Sequence, residues 1–339
     1  MCFLNLLTRC TTPRNRGSLA PAARAHYLSG RQPRHKAGSK LASSPRASTI
    51  ILTMGNTFKY IDCHTHAHFA VFKDDYKQVI ERAIGAGVSV VNVGTQKDTS
   101  KRAVEVAREL GEEVWAVVGL HPIHTDKSFH DTDELGASPS VGSGFTSRGE
   151  DFDYEHYKKL ALDGKVVAIG ECGLDYFRME QSANRESQIA KQKNAFVKQI
   201  DLAFDVKKPL MIHCRDAFGD LIEILEANKN RLNEKPGIIH FFTGTTDDAK
   251  KLLDMGFYFT FGGVVTFARD YDEIIKMIPM DRILSETDAP YVTPAPFRGK
   301  RNEPAYVIYV VRRLAEIKGV SKDEMAEQIW FNAKQVLDI

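Results

Sequence analysis

The sequence has no uninterrupted apolar run of the roughly 18 residues that a membrane span requires, so an integral membrane protein is excluded and no membrane partner is expected. Its 5 cysteines among 339 residues are odd in number and dispersed, which rules out a disulfide framework and makes a reducing compartment, the cytoplasm, the expected setting. No internal repeat is visible. Asp and Glu are absent from residues 1–53, which hold nine Lys and Arg. From residue 54 onward, 37 basic residues face 44 acidic ones, so the slight positive charge of the whole chain comes from its first segment and is no sign of nucleic-acid affinity. That segment, rich in Arg, Ser, Ala and Pro, has the composition of an organelle transit peptide. Pro13, Pro21, Pro33 and Pro45 oppose a long presequence helix, and Met54 stands just before the first strand-like run. Residues 1–53 are therefore read as an extension outside the fold, with a mitochondrial address as the alternative.

The remainder, at 43% hydrophobic and 27% charged over the whole chain, is ordinary for a globular protein. From Lys59, eight short apolar runs alternate with segments of helical period. The runs are 60–61, 89–93, 114–118, 166–169, 209–212, 237–239, 257–261 and 282–284. The helix-like stretches fall at about 74–86, 98–110, 154–162, 187–206, 217–229, 246–254, 271–278 and 303–317, and a last helix is predicted at about 321–337. Runs apolar on both faces suit a parallel sheet covered by helices, and eight βα units imply closure. The expected fold is α/β, a (β/α)8 TIM barrel of residues 54–339 with an extra C-terminal helix. Residues 136–149, with eight Gly or Ser, read as a flexible surface loop.

In such a barrel the chemistry sits at the C-terminal mouth, on residues that end strands. The strand ends here carry His64 and His66, His121, Glu171, His213, His240 and Asp288. A lone strand-end histidine is usually a hydrogen-bonded core residue. Six potential ligands, His64, His66, Glu171, His213, His240 and Asp288, at five strand ends of one barrel point instead to divalent Zn, Mn, Fe or Mg. Six such groups exceed what one tetrahedral ion takes and fit two ions bridged by a carboxylate. His121 is expected to contact substrate or to orient a water. Cys63, Cys172 and Cys214, each beside a proposed ligand, are expected to face outward as small buried hydrophobes.

The motifs Ile61-Asp62-Cys63-His64-Thr65-His66, Gly119-Leu120-His121-Pro122, Ile169-Gly170-Glu171-Cys172-Gly173-Leu174-Asp175, Ile212-His213-Cys214-Arg215-Asp216 and Glu286-Thr287-Asp288-Ala289-Pro290-Tyr291, with the Ile239-His240-Phe241-Phe242-Thr243-Gly244 run, resemble the TatD family of metal-dependent deoxyribonucleases, a branch of the amidohydrolase-like barrels. The resemblance spans about 58–338. It departs at Phe241, where the family usually has a small residue, at Thr243, often Ser, and in the length of the 136–149 loop. It implies that His64, His66 and Asp288 hold one ion, that His213 and His240 hold the other, and that Glu171 bridges them. It further implies hydrolysis of DNA phosphodiesters, often from a 3′ end, with Mg, Mn or Zn; some members resemble D-aminoacyl-tRNA deacylases.

On that basis the expected enzyme is a metal-dependent hydrolase acting on DNA, a 3′–5′ exonuclease on single-stranded ends using two divalent ions, with D-aminoacyl-tRNA deacylation or other ester hydrolysis as the alternative. Glu171 stands where many amidohydrolase relatives carry a carboxylated lysine, which disfavours ordinary amide hydrolysis. Asp288 is the candidate general base and Glu171 the second catalytic carboxylate. Arg215, two residues after His213, is a candidate phosphate contact with a rim salt bridge as its alternative. Glu286 is expected to hydrogen-bond a ligating imidazole. The acidic body lacks the basic stripe that a duplex-binding protein needs, so short single-stranded ends held by Arg178, Arg215 and Arg298 suit it better. Arg298-Gly299-Lys300-Arg301 is the only local basic cluster after the last strand and reads as a solvated loop or a guide for a phosphate backbone. A monomer is expected. A non-catalytic binding protein would be expected to have lost ligands, and none of the six is missing.

Overall fold

The structure, a computed structural model, describes residues 59–127, 129–130, 145–146, 148–177, 179 and 184–339. The extension at 1–53, most of the Gly/Ser loop at 136–149, and Arg178 lie outside the described residues.

Eight parallel strands follow one another in chain order around the sheet: β1 (Tyr60–Thr65), β2 (Val88–Val93), β3 (Val114–Val118), β4 (Val166–Asp175), β5 (Leu210–Arg215), β6 (Gly237–Ile239), β7 (Tyr258–Phe261) and β8 (Ile283–Ser285). Ile61, Val90, Val117, Ile169, Ile212, Ile239, Phe259 and Leu284, one from each strand, are fully buried, as a sheet covered on both faces requires. The architecture is the (β/α)8 barrel.

The seam between β1 and β8 is drawn together by hydrogen bonds just beyond and beside the ladders. Asp288 N donates to His64 O at 2.9 Å, His66 N to Ala289 O at 2.8 Å, and Ser285 Oγ to Ile61 O at 2.9 Å. Asp62, fully buried, accepts from Thr287 N at 2.8 Å and from His64 N at 3.3 Å, and its second oxygen meets the Thr287 hydroxyl. The bonds that close the ring thus run through the residues flanking His64, His66 and Asp288.

The helices α1 (Tyr76–Gly85), α2 (Lys97–Leu110), α3 (Tyr154–Ala161), α4 (Arg185–Val206), α5 (Phe218–Ala227), α6 (Thr246–Asp254), α7 (Asp272–Met277), α8 (Val307–Lys318) and α9 (Lys322–Leu337) match the predicted stretches to within a few residues. α2 begins where Gln96 and Thr99 cap each other, and α6 where Thr245 and Asp248 do, satisfying donors that an uncapped first turn leaves bare. α8 starts at Val307 rather than 303 because Pro304–Tyr306 forms a 3-10 turn first. The extra helix α9 buries Met325, Ile329, Val336 and Leu337, each worth about 1.5–3 kcal/mol of apolar transfer. Asn332 then ties it to the foot of β8 through Met280 O and Ile283 O, both at 2.8 Å.

Two strands run longer than the sequence predicts. β1 continues beyond its apolar run through Thr65, so His64 stands on the strand end, as expected. β4 continues past Gly173, where the sequence ends it, to Asp175. A Cβ on Gly170 would stand 2.4 Å from Met211 O and one on Gly173 2.0 Å from His213 O. Glycine is what lets β4 lie this close to β5, so here it extends the ladder.

Candidate active site

His64 and His66 come from β1, Glu171 from β4, and His213 from β5; His121, His240 and Asp288 follow β3, β6 and β8 directly. All seven meet at the C-terminal end of the barrel, around the carboxylate of Glu171, which is 3% exposed. Its two oxygens face different neighbours. Oε2 lies 3.5 Å from His64 Nε2 and 3.6 Å from His66 Nε2. Oε1 lies 2.7 Å from His240 Nε2, 3.1 Å from His213 Nδ1 and 3.1 Å from His121 Nε2. Asp288 joins the first group, with Oδ1 3.3 Å from His66 Nε2 and 3.8 Å from His64 Nε2. His64 Nε2 and His66 Nε2 are 3.3 Å apart, and His213 Nδ1 and His240 Nε2 are 3.2 Å apart.

These spacings test the fit of a cation. A tetrahedral ion with ligands at about 2.0–2.1 Å places its donors about 3.3 Å from one another. The measured separations around His64, His66, Asp288 and Glu171 Oε2 run from 3.3 to 3.8 Å. The donor set fits a divalent ion.

Ring tautomers sort the imidazoles further, because a ligating nitrogen needs a lone pair and the other nitrogen then carries the proton. His66 Nδ1 faces Val93 O at 2.7 Å and must donate, so the neutral ring carries its lone pair on Nε2, while in the cation-free site a proton on Nε2, favoured by Asp288 and Glu171, is donated to Asp288. His213 Nε2 donates to Asp175 Oδ2 at 2.8 Å, leaving Nδ1 to face Glu171 and His240. His121 is the opposite case. Its Nδ1 accepts from Ile123 N at 3.2 Å, so the neutral ring carries its proton on Nε2 and points it at Glu171. His121 is thus a donor beside the ligand ring and not one of its ligands.

Charge on the site follows from burial and neighbours. Burial pushes the Glu171 carboxyl up, but the fields of His121, His240 and His64 outweigh it and hold the group well below the usual carboxylate range. Burial also opposes charging of His240 and His213. Glu171 overcomes this for His240, whose pKa lies well above the ordinary imidazole value, while Asp175 and Glu171 hydrogen bonds raise that of His213. His121, more dominated by burial, is pushed down to about 4 and stays neutral. Burial would raise the Asp288 carboxyl, yet the His66 hydrogen bond leaves it lowered, so it is available as a base.

The remaining expected residues stand further out or deeper. Arg215 is not among the groups around Glu171; its guanidinium lies over the Phe177 ring, 3.4 Å from the centroid. Glu286 is fully buried beneath His64 and His240, which stack at 3.9 Å. Its Oε2 is 3.7 Å from His240 Nδ1, too long for the direct hydrogen bond expected, and neither oxygen has a hydrogen-bond partner among the described residues. Cys63, Cys172 and Cys214 are free and buried, with thiols that burial pushes up, as packing residues should be. Asp175 was not predicted to matter. The signal was the alternation Glu171, Gly173, Asp175 along one strand face, obscured by ending the strand at Gly173. Phe69, stacked on His66 at 4.3 Å, was not predicted either.

A parallel (β/α)8 barrel with buried imidazoles and carboxylates at its mouth defines a metal-dependent hydrolase. The comparisons with known proteins agree. The pattern of the family described as TatD related DNase matches residues 61–338. The chain is 38% identical over 281 residues to the uncharacterized metal-dependent hydrolase YabD of Bacillus subtilis, covering 82% of this chain and 98% of that one. It is 32% identical over 276 residues to the 3′-5′ ssDNA/RNA exonuclease TatD of Erwinia tasmaniensis, covering 79% and 95%. The crystal structure of the TatD homologue YJJV from Escherichia coli superposes with a TM-score of 0.69 at 25% identity, covering 84% of this chain and 99% of that one. The chain belongs to the TatD family of metal-dependent hydrolases.

Proposed function

We propose that the protein hydrolyses phosphodiester bonds of DNA, removing nucleotides from the 3′ end of single strands, with two divalent ions, Mg, Mn or Zn. The observation that carries this reading is the split carboxylate of Glu171: one oxygen faces His64 and His66 beside Asp288, the other faces His213 and His240. A carboxylate turned both ways between two donor clusters suits a bridge. The Erwinia relative, a 3′-5′ ssDNA/RNA exonuclease, supports the substrate class.

When bound, the ions supply Lewis acidity, neutralising phosphoryl charge and making a nearby water more acidic. The chain's own groups do the rest. Asp288, held ionised by His66, orients the attacking water and takes its proton. His121 offers its Nε2 proton to an oxygen at the mouth, either that of Glu171 or one of the substrate. Arg215, stacked and therefore oriented by Phe177, presents guanidinium N–H groups to a phosphate oxygen.

The test is incubation of the purified full chain with 3′-labelled single-stranded DNA and Mg or Mn, in parallel with D-aminoacyl-tRNA. Release of mononucleotides is expected. Folded, metal-loaded protein that leaves the DNA intact with every divalent ion overturns the reading, and deacylation in that case assigns the site to ester hydrolysis instead.

A further inference from the structure

The segment 291–302, after β8, is a rigid loop at the mouth. Buried Asn302 holds its two ends together, donating to Thr287 O at 2.9 Å and Tyr291 O at 2.7 Å. Thr266 Oγ1 accepts from Ala295 N at 2.8 Å and sutures the loop to the turn after β7. Gly263 in that turn lies so close that a Cβ there would stand 2.1 Å from Val292 O. On this base, exposed Arg298 lies over the ring of Phe267, 3.9 Å from the centroid, and exposed Lys300 lies 5.6 Å from that of Phe297. Phe297 is itself stacked on Tyr306 at 4.3 Å. Neither Arg298 nor Lys300 forms an ion pair with a carboxylate of the described residues. Arg301, next in the chain, differs: its guanidinium is bound to both oxygens of Asp75 and is occupied structurally.

We propose that this loop is a docking platform for the single-stranded nucleic acid on the 5′ side of the cleaved bond, with the Arg298 guanidinium, backed by Phe267, against a base and a phosphate, and Lys300, beside Phe297, on the next phosphate. The assignment takes the direction of the strand from the nuclease reading above. Flat rings alternating with unneutralised cations match a polymer of alternating planar bases and anionic phosphates. A guanidinium already stacked on Phe267 offers its outer face to a base and its edge to a phosphate. An acidic peptide would use the charges and leave the flat outer face of the guanidinium idle. The body carries 44 acids against 37 bases beyond residue 53, so a pair of unneutralised cations stands out against a net negative chain.

The test is fluorescence anisotropy of the full chain with a 5′-labelled single-stranded 12-nucleotide DNA whose phosphorothioate linkages resist cleavage. Arg298→Glu/Lys300→Glu, both exposed positions, should weaken binding about tenfold or more at 0.1 M salt. Arg298→Ala/Lys300→Ala should flatten the dependence of log affinity on log salt by about 1.4, roughly 0.7 for each lost phosphate contact. Phe267→Ala should weaken binding about tenfold as well. A parent chain that does not bind the strand, or binding indifferent to the charge reversals, overturns the platform. Nucleotide release by the parent is read separately. Hydrolysis with binding indifferent to the variants removes the platform and keeps the nuclease, whereas variant-sensitive binding without hydrolysis by the parent keeps the platform and removes the nuclease.

Discussion

Asp175→Asn perturbs one hydrogen bond without changing the volume of the side chain. In the parent, the Asp175 carboxylate accepts twice, from His213 Nε2 at 2.8 Å and from Phe177 N at 3.0 Å. Burial alone would raise its pKa, and the His213 hydrogen bond holds it below the ordinary value, so it acts as an ionised acceptor. An asparagine can present only one acceptor oxygen. If that oxygen keeps Phe177 N, the amide NH2 faces His213 Nε2 and forces the imidazole proton onto Nδ1, the nitrogen that points at Glu171 and His240. If the amide turns over, Phe177 N is left facing a donor, at a cost of about 1–3 kcal/mol. Either arrangement penalises the ligating tautomer. Partners that orient ligating histidines contribute about 10–100-fold in metal affinity, or roughly 1.4–2.8 kcal/mol. The loss should fall on the His213/His240 cluster alone, because the His64, His66 and Asp288 donors make no contact with Asp175. Calorimetric titration of metal-free protein with Zn or Mn should therefore show two events in the parent and, in the variant, one unchanged and one weakened by that factor. Two unchanged events would refute the tautomer argument, and two equally weakened ones would refute the division into clusters.

Two further outcomes follow from the same structure. Asp62→Ala leaves Thr287 N, buried in the seam, without its acceptor, and should lower unfolding free energy in denaturant by about 2–4 kcal/mol; a loss under about 0.5 kcal/mol would show that the seam does not depend on Asp62. Because Glu171 and Asp175 raise the pKa values of His213 and His240 in the cation-free site, both imidazoles hold protons to higher pH than a free histidine and must release them when an ion binds. Affinity should accordingly fall as pH drops, about tenfold per unit for each proton displaced, and titration in buffers of different ionisation heat should count at least one proton released at pH 7. Affinity constant between pH 5.5 and 8 would contradict this.

Among the described residues, the eight barrel strands and nine α-helices could be read from the sequence because each run announces its period: Val88–Val93 is rich in valine and buried along its whole length, and α2 alternates buried Ala103, Val104 and Ala107 with exposed charge. The donors at the mouth were legible for a different reason, since imidazoles and acids at strand ends stand out against aliphatic runs. What stayed hidden was contact between strands. Glycine at 170 and 173 signals a turn in isolation and means close approach only when β5 is present beside it, so Asp175 fell outside the strand that carries it. The tautomer of His121 depends on the amide of Ile123, and the posture of Arg215 on Phe177; neither is written in residue type. Glu286 was expected to hydrogen-bond a ligating imidazole, and it stands 3.7 Å from His240 Nδ1, a separation that depends on the packing around both and not on residue type.

Glu171 turns one oxygen toward groups on β1 and after β8, the two ends of the barrel, and the other toward groups following β3 and β6 and on β5, which all lie within the middle of the chain. A nascent or nicked barrel lacking its last strand would have no Asp288 to offer. An ion held by His64, His66 and Asp288 would thereby depend on completion of the ring, and its capture would report that the first and last strands have met.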